Sequence, residues 1–281
     1  MTTSGVSDVS DTARWVATYR ARESARPDAL FRDPYAERLA GARGAELTRL
    51  TPRQVRGGWP LVVRTKLIDD LLLQAVRQDG VDCVVNLGAG LDARPYRLEL
   101  PASLTWLEVD FPGILEEKAR ALSGELPRCQ LQRIPLDLQQ EGARREIFAG
   151  LGAYQNVLVL SEGFAVYLED GEVASLGRDL LAQPRVRYWL VDFFSPRVLE
   201  MMKRGVGTSM ESAPFKFAPA NGVAFFEALG WRTLEVRSIF GEASRLGRAP
   251  WLVRLAHLLP EPDIRRLGST NWAAAVRFTR A

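Results

Sequence analysis

From about residue 80 onward, short apolar runs alternate with amphipathic stretches, and this alternation restricts the fold more than any other feature of the chain. The runs near 82–87, 104–109, 130–134, 156–160 and 187–193 predict strands. The stretches near 92–99, 112–122, 139–149 and 171–182 are rich in Leu, Ala, Glu and Arg and predict helices between them. Strands joined by such crossovers lie parallel, so the expected class is α/β. Further on, 222–229 reads as a helix and 231–238 and 272–279 as a terminal pair of strands. The connection 241–269 is too long for a tight hairpin, and its amphipathic segment from Trp251 to Leu259 predicts an inserted helix.

The first quarter has a different texture. Apolar residues recur at helical spacing in Trp15, Val16 and Tyr19, then in Leu30, Phe31, Tyr35 and Leu39, and again from Leu61 to Val76. Asp33-Pro34 has the form of a helix start, an acid at the N-cap followed by proline. Residues 13–78 are thus expected as a helical cap preceding the sheet, and residues 1–12, small and polar, as a flexible tail. With 281 residues and 47% hydrophobic side chains, the chain can bury one large core. The expected organisation is a single domain over 13–281, with 196–219 and 241–269 as insertions that shape a substrate pocket.

Charge and composition exclude several classes. The net charge is +3, but acids are interspersed with the basic residues and no long block of like charge occurs, so a nucleic-acid partner is not implied. No run of 18 apolar residues exists to cross a membrane, and the N-terminal residues do not pair a basic stretch with an apolar one. A soluble, cytoplasmic protein acting on a small molecule is the expectation. Cys83 sits inside a strand-like run and Cys129 lies far from it in sequence, which predicts two ordinary thiols, with no disulfide and no metal site.

Cys83-Val84-Val85-Asn86-Leu87 runs straight into Gly88-Ala89-Gly90 and then into a helix-compatible stretch, the setting a nucleotide-binding turn requires. Without Cβ atoms, Gly88 and Gly90 permit a tight reversal and a close approach of ligand to backbone. Trp106-Leu107-Glu108-Val109-Asp110 is a second strand ending in acids about 20 residues on, where a carboxylate can accept hydrogen bonds from a ribose. A dinucleotide and S-adenosylmethionine both suit this pair of elements. Asp92 would repel a pyrophosphate and attract an ammonium or sulfonium, while Arg94 could hold a carboxylate, which favours the second ligand.

Gly88-Ala89-Gly90-Leu91-Asp92-Ala93-Arg94 and Leu107-Glu108-Val109-Asp110-Phe111-Pro112 resemble the leucine carboxyl methyltransferase family, including its bacterial natural-product branch. Arg20-Ala21-Arg22-Glu23-Ser24, Leu30-Phe31-Arg32-Asp33-Pro34, Arg64-Thr65-Lys66, the segment from Leu160 to Leu168 and the segment from Phe225 to Trp231 are similar to that family as well. The resemblance implies a class I methyltransferase, a Rossmann-like seven-stranded sheet with its last strand antiparallel, under an N-terminal helical cap. It implies that S-adenosyl-L-methionine is held by Arg64 at the methionine carboxylate, by Gly88 along that moiety, and by Asp110 at the ribose, while Gly90 and Asp92 are cofactor-binding candidates from the turn itself. Asp137 and Leu138 would then contact the adenine and Glu162 the amino-acid end. Glu108 is a chemically equivalent rival for the ribose, but Asp110 lies nearer the strand's end.

Methyl transfer from a sulfonium is an in-line displacement, in which positioning is the main task. A carboxylate acceptor is already ionised at neutral pH, whereas a phenol of pKa about 10 benefits from a base. The chain holds one histidine, His257, in the amphipathic 251–259 segment, where a structural role is expected, and no general base is nominated. The scarcity of histidine favours carboxyl methylation, with phenol methylation, a nicotinamide-dependent oxidoreductase and a non-catalytic binding protein as alternatives. Tyr19, Arg22 and Tyr167 are the candidate substrate residues. Arg20 and Arg32 are further candidates to face a carboxylate, and Trp15 and Tyr35 to complete an aromatic wall.

Overall fold

The computed structural model describes residues 9–50, 57–206, 214–256 and 262–281. Three helices come first: α1 (Val9–Ser24), α2 (Ala36–Leu50) and α3 (Trp59–Gln78). The alternating region follows with β1 (Cys83–Leu87), α4 (Arg94–Arg97), β2 (Thr105–Asp110), α5 (Pro112–Ala121) and β3 (Gln130–Pro135). It continues through α6 (Glu141–Ala149), β4 (Val157–Ser161), α7 (Asp170–Leu181) and β5 (Val186–Phe194). The last third contains α8 (Pro196–Val206), α9 (Val223–Glu227), β6 (Trp231–Ser238), α10 (Ile239–Arg245), α11 (Trp251–Ala256) and β7 (Ala273–Arg280).

The seven strands form one sheet in the order β3-β2-β1-β4-β5-β7-β6. The first five are parallel to one another, and β7 lies antiparallel between β5 and β6. Strand order reverses between β1 and β4, and the crevice beyond the carboxyl ends of such a pair is where open α/β sheets bind ligands. Leu87 and Ser161 end the two strands there.

Alternation along β1 explains both faces of the core. Val84 points toward α3, and Cys83, Val85 and Leu87 point to the opposite side with Phe148, Leu176 and Phe226. Leu67, Ile68, Leu71 and Leu72 of α3 are fully buried against Val84, Trp106, Leu158 and Leu190. Each contributes on the order of 1.5–3 kcal/mol. The helix expected within a cap is therefore a wall of the core, and α1 and α2 are the elements that lie above it. Among the described residues no helix is long and apolar enough to cross a membrane.

Several expected boundaries move. Residues 9–12, expected in the tail, form the first turn of α1, because Asp11 is buried and held by Arg43 at 2.7 Å and Arg14 at 3.3 Å. The helix expected over 92–99 shrinks to the single turn of α4, since Arg94 and Arg97 are both drawn into ion pairs below it. The carboxylate of Asp33 accepts from Tyr35 N, and α2 begins at Ala36. Of the expected insertions, Val198, Leu199, Phe215 and Ala243 join the core, and Gly247 and Arg248 border a cavity. His257 lies outside the described residues.

Candidate active site

At the end of β1, Gly88 N and Ala89 N both donate to Val109 O of β2, at 2.9 and 3.3 Å, which folds the turn back across the neighbouring strand. Gly88 and Gly90 have φ of +64° and +44°, a region that L side chains rarely enter. A Cβ on Gly88 would also lie 2.7 Å from Phe164 Cδ2. Gly90 N donates to Asp110 Oδ2 at 2.6 Å, and Phe111 N donates to the other oxygen at 2.7 Å. Burial lifts the Asp110 carboxyl above its ordinary value against the pull of those two amides. Glu108 is fully buried and accepts from Lys118 Nζ at 2.6 Å and Arg133 Nε at 3.1 Å. Asp110 is thus the acid of this strand that reaches the turn.

An extended ion network underlies the crevice. Arg94, expected at the ligand, is 2% exposed and is used internally. It donates to Asp69 at 2.7 Å, to Asp92 at 2.8 Å and to Glu162 at 2.5 Å. Arg64 Nε donates to the other Glu162 oxygen at 3.0 Å, and its Nη1 donates to Asp192 at 3.1 Å. Asp192 in turn accepts from Gly163 N at 2.6 Å. Arg97 pairs with Asp69 at 2.7 Å and approaches Asp33, which Arg20 holds at 2.9 Å. Arg20 also donates to Leu91 O at 2.6 Å, fastening α1 to the glycine turn.

The electrostatics follow from burial and these pairings. Burial works to raise the Glu162 carboxyl, but Arg94 and Arg64 outweigh it and hold it below its ordinary value. Burial likewise works to raise Asp92, but Arg94 with the neighbouring cations outweighs it and holds it below its ordinary value, and it also accepts from Asn86 Nδ2 at 2.9 Å and Arg94 N at 2.8 Å. Burial dominates at Asp192 and raises it despite Arg64. Four guanidinium groups, of Arg20, Arg64, Arg94 and Arg97, meet five carboxylates, of Asp33, Asp69, Asp92, Glu162 and Asp192, one negative charge in excess. Arg64 Nη2 makes no hydrogen bond with a described residue, and Thr65 Oγ1 is enclosed without a partner.

The structure brings Gly88, Gly90, Asp92, Asp110 and Glu162, at the ends of β1, β2 and β4, together with Arg64 of α3. Asp137 and Leu138 follow β3 alongside, where Leu136 N donates to Asp110 O at 2.9 Å: Asp137 accepts from Gln139 N at 3.0 Å, and buried Leu138 borders a cavity of about 50 Å³ with Phe164 and Leu168. That space admits only a few water molecules. Tyr167 lies near Arg64 and Asp192, beside the Thr12 hydroxyl, with its ring against Phe215 at 5.5 Å. Burial pushes its phenol up. Tyr19 and Arg22 line a separate, larger cavity beneath α1, whereas Tyr35 meets Tyr96 edge-on outside it. Arg20 is consumed by Asp33, and Arg32 by the carbonyls of Ser24 and Pro27.

Asp69, Asp192 and Phe164 did not emerge from the sequence. Asp192 had a signal: it is a lone acid near the end of the apolar run 186–194, a place that only a partnered carboxylate tolerates. Asp69 sits beside Asp70 in a helix where either could face solvent. Phe164 had no signal beyond its neighbour Gly163.

A parallel sheet of this order with an antiparallel β7, a glycine turn on β1 and an acid closing β2 is the class I methyltransferase fold. A crystal structure of a DUF574 family protein from Streptomyces avermitilis shares it, with a TM-score of 0.59 over 96% of this chain and 97% of that one at 12% identity. The leucine carboxyl methyltransferase family model matches residues 13–180. A Frankia alni protein named as an S-adenosyl-L-methionine-dependent methyltransferase is 32% identical over 250 residues, covering 84% of this chain and 87% of its own length. A Streptomyces coelicolor protein of the same description is 30% identical over 289 residues, 95% and 92% of the two chains. The chain belongs to the leucine carboxyl methyltransferase family. It is an S-adenosyl-L-methionine-dependent methyltransferase.

Proposed function

We propose that the enzyme methylates a carboxylate oxygen of a small molecule, of the kind found in natural-product pathways. One observation carries this reading: among the described residues no unpaired base flanks the crevice. Glu162, Asp92 and Asp192 are each engaged by arginine, and the raised Tyr167 phenol stays protonated at neutral pH. An acceptor that arrives ionised needs no base.

The residues fit the cofactor by charge and by free donors. Arg64 Nη2 is assigned to the cofactor's carboxylate, and the network's one negative charge in excess to its ammonium and sulfonium. Gly88 and Gly90 let the backbone approach the amino-acid moiety, Asp110 takes the ribose hydroxyls, and Asp137 with Leu138 serves the adenine. When bound, the cofactor supplies a methyl group activated by a positively charged sulfur. The acceptor oxygen's lone pair forms the new C–O bond while the methyl–sulfur bonding pair passes to sulfur, and no proton moves. The Tyr167 hydroxyl is assigned to donate to the acceptor and orient it, and α1 and α2, with residues 247–248, to enclose it.

The test is the chemistry of the product. Methyl groups transferred to a panel of carboxylic acids are expected to be released as methanol in mild alkali, as esters allow. A product stable to alkali would transfer the assignment to a phenolic oxygen.

A further inference from the structure

One face of α1 carries Thr12, Trp15, Tyr19 and Arg22 at i, i+3, i+7 and i+10, the spacing that sets side chains in a row along a helix. The row begins at the ion network, where Thr12 lies beside Tyr167. It ends in a cavity of about 330 Å³ between α1, the start of α3 and the turn after α10, walled by Tyr19, Trp59, Val62 and Arg248. Between the ends, Trp15 and Val16 are only partly buried.

Two donors on this row have no protein acceptor, one enclosed and one exposed. Trp15 Nε1 is enclosed without a hydrogen bond, whereas the Thr12 hydroxyl has the Tyr167 phenol beside it. Arg22 is exposed at the mouth of the cavity and makes no ion pair with a described carboxylate, and its guanidinium lies 5.5 Å from the centre of the Tyr19 ring. The other cations at the cavity are engaged: Arg248 by Glu23 at 2.7 Å and Asp28 at 3.1 Å, and Arg26 by Asp28 at 3.0 Å. An enclosed donor without an acceptor costs about 1–3 kcal/mol, which an oxygen-bearing ligand relieves. The ten residues from Thr12 to Arg22 span about 15 Å at 1.5 Å per residue.

We infer that the acceptor is an elongated dicarboxylate. One carboxylate is methylated beside Tyr167, and the other is held by Arg22 roughly 10–15 Å away. Tyr19 and Val62 cover an apolar middle, and Trp15 Nε1 is left to an oxygen nearer the reacting end. The inference rests on the carboxyl-methylation reading for the reacting end only. The far carboxylate keeps its charge, so the product is a monoester.

The experiment compares α,ω-dicarboxylic acids of increasing chain length with monocarboxylic acids of matched length. It reads both S-adenosylhomocysteine release and equilibrium binding, the latter by tryptophan fluorescence with S-adenosylhomocysteine present. Diacids that span the row are expected to bind at least about tenfold more tightly than matched monoacids, as one charge-assisted contact supplies. Arg22→Gln should erase that preference and leave S-adenosylhomocysteine affinity unchanged. Equal binding of diacids and monoacids by the native enzyme, or equal losses for both in Arg22→Gln, overturns the proposal. Arg22-dependent diacid binding without turnover supports the docking row while rejecting the methylation reading.

Discussion

Arg94 Nη1 lies 2.5 Å from Glu162 Oε2, so the residue that leaves the glycine turn is bound to the acid that follows β4. The same guanidinium holds Asp92 and Asp69, and it spans the crevice floor from β1 to β4 and α3. Removing it leaves Asp92 without its arginine and takes one of two arginines from Asp69, which keeps Arg97, and from Glu162, which keeps Arg64, in an interior that solvates charge poorly. Arg94→Met is expected to cost about 3–5 kcal/mol in urea unfolding, the magnitude for breaking a buried pair. Arg94→Lys should recover little, because one ammonium cannot reproduce a planar fork that faces three acids. A loss below about 1 kcal/mol for the methionine variant would show that the network relaxes around the gap.

Glu162 makes the network sensitive to acid. Its folded pKa lies below the ordinary 4.5 because Arg94 and Arg64 outweigh burial. The native state therefore binds its proton less readily than the unfolded chain. Its contribution is complete above the ordinary value and is lost as pH falls through the depressed folded one. Glu162→Gln should cost on the order of 1–3 kcal/mol at neutral pH. The gap between the native and variant proteins should close progressively below about pH 4.5. Thermal unfolding across acid pH measures this, and a gap that widens toward low pH contradicts the assignment.

Gly88 faces two constraints at once, a positive φ and the Phe164 ring. Gly88→Ala should cost about 1–2 kcal/mol from the backbone alone. It should also weaken S-adenosylhomocysteine binding by at least about tenfold, or 1.4 kcal/mol, if the turn shifts to clear the ring. Adding Phe164→Ala relieves the contact but leaves φ unchanged, so only part of the affinity should return in calorimetry. Full recovery would mean that φ is unimportant at this position.

The sheet was legible because each strand combines an apolar run with a clear break. β6 appears at the expected residues, and each end of the other strands lies within one residue of its expected place. The glycine turn and Asp110 were legible for a local reason: strand, turn and acid are short segments whose spacing encodes their meeting. The ion network was not, because its members come from α1, α3, α4 and β5 and the ends of β1 and β4, and a sequence does not state which arginine reaches which acid. Arg94 shows the consequence. Its position beside the turn suggested a ligand contact, whereas burial and three acid neighbours make it a floor beam. α4 failed for the same reason, since tertiary ion pairs set its length against local propensity.

Asp110 should give the ligand-bound protein a pH dependence opposite to that of the empty one at this residue. Burial raises its pKa above the ordinary 3.8, so the empty native state takes up that proton more readily than the unfolded chain. At this residue alone, the empty protein gains stability as pH falls through the raised value. A ribose diol, by contrast, donates to the ionised carboxylate, so its binding is lost over the same window. The rise in unfolding temperature produced by S-adenosylhomocysteine should therefore shrink with falling pH, beginning above pH 3.8. Asp110→Asn should bind about tenfold or more weakly, the loss of one charged hydrogen-bond acceptor. Its ligand-induced rise should stay level through that window. An identical decline in the asparagine variant would assign the titration to another group and remove Asp110 from the ribose.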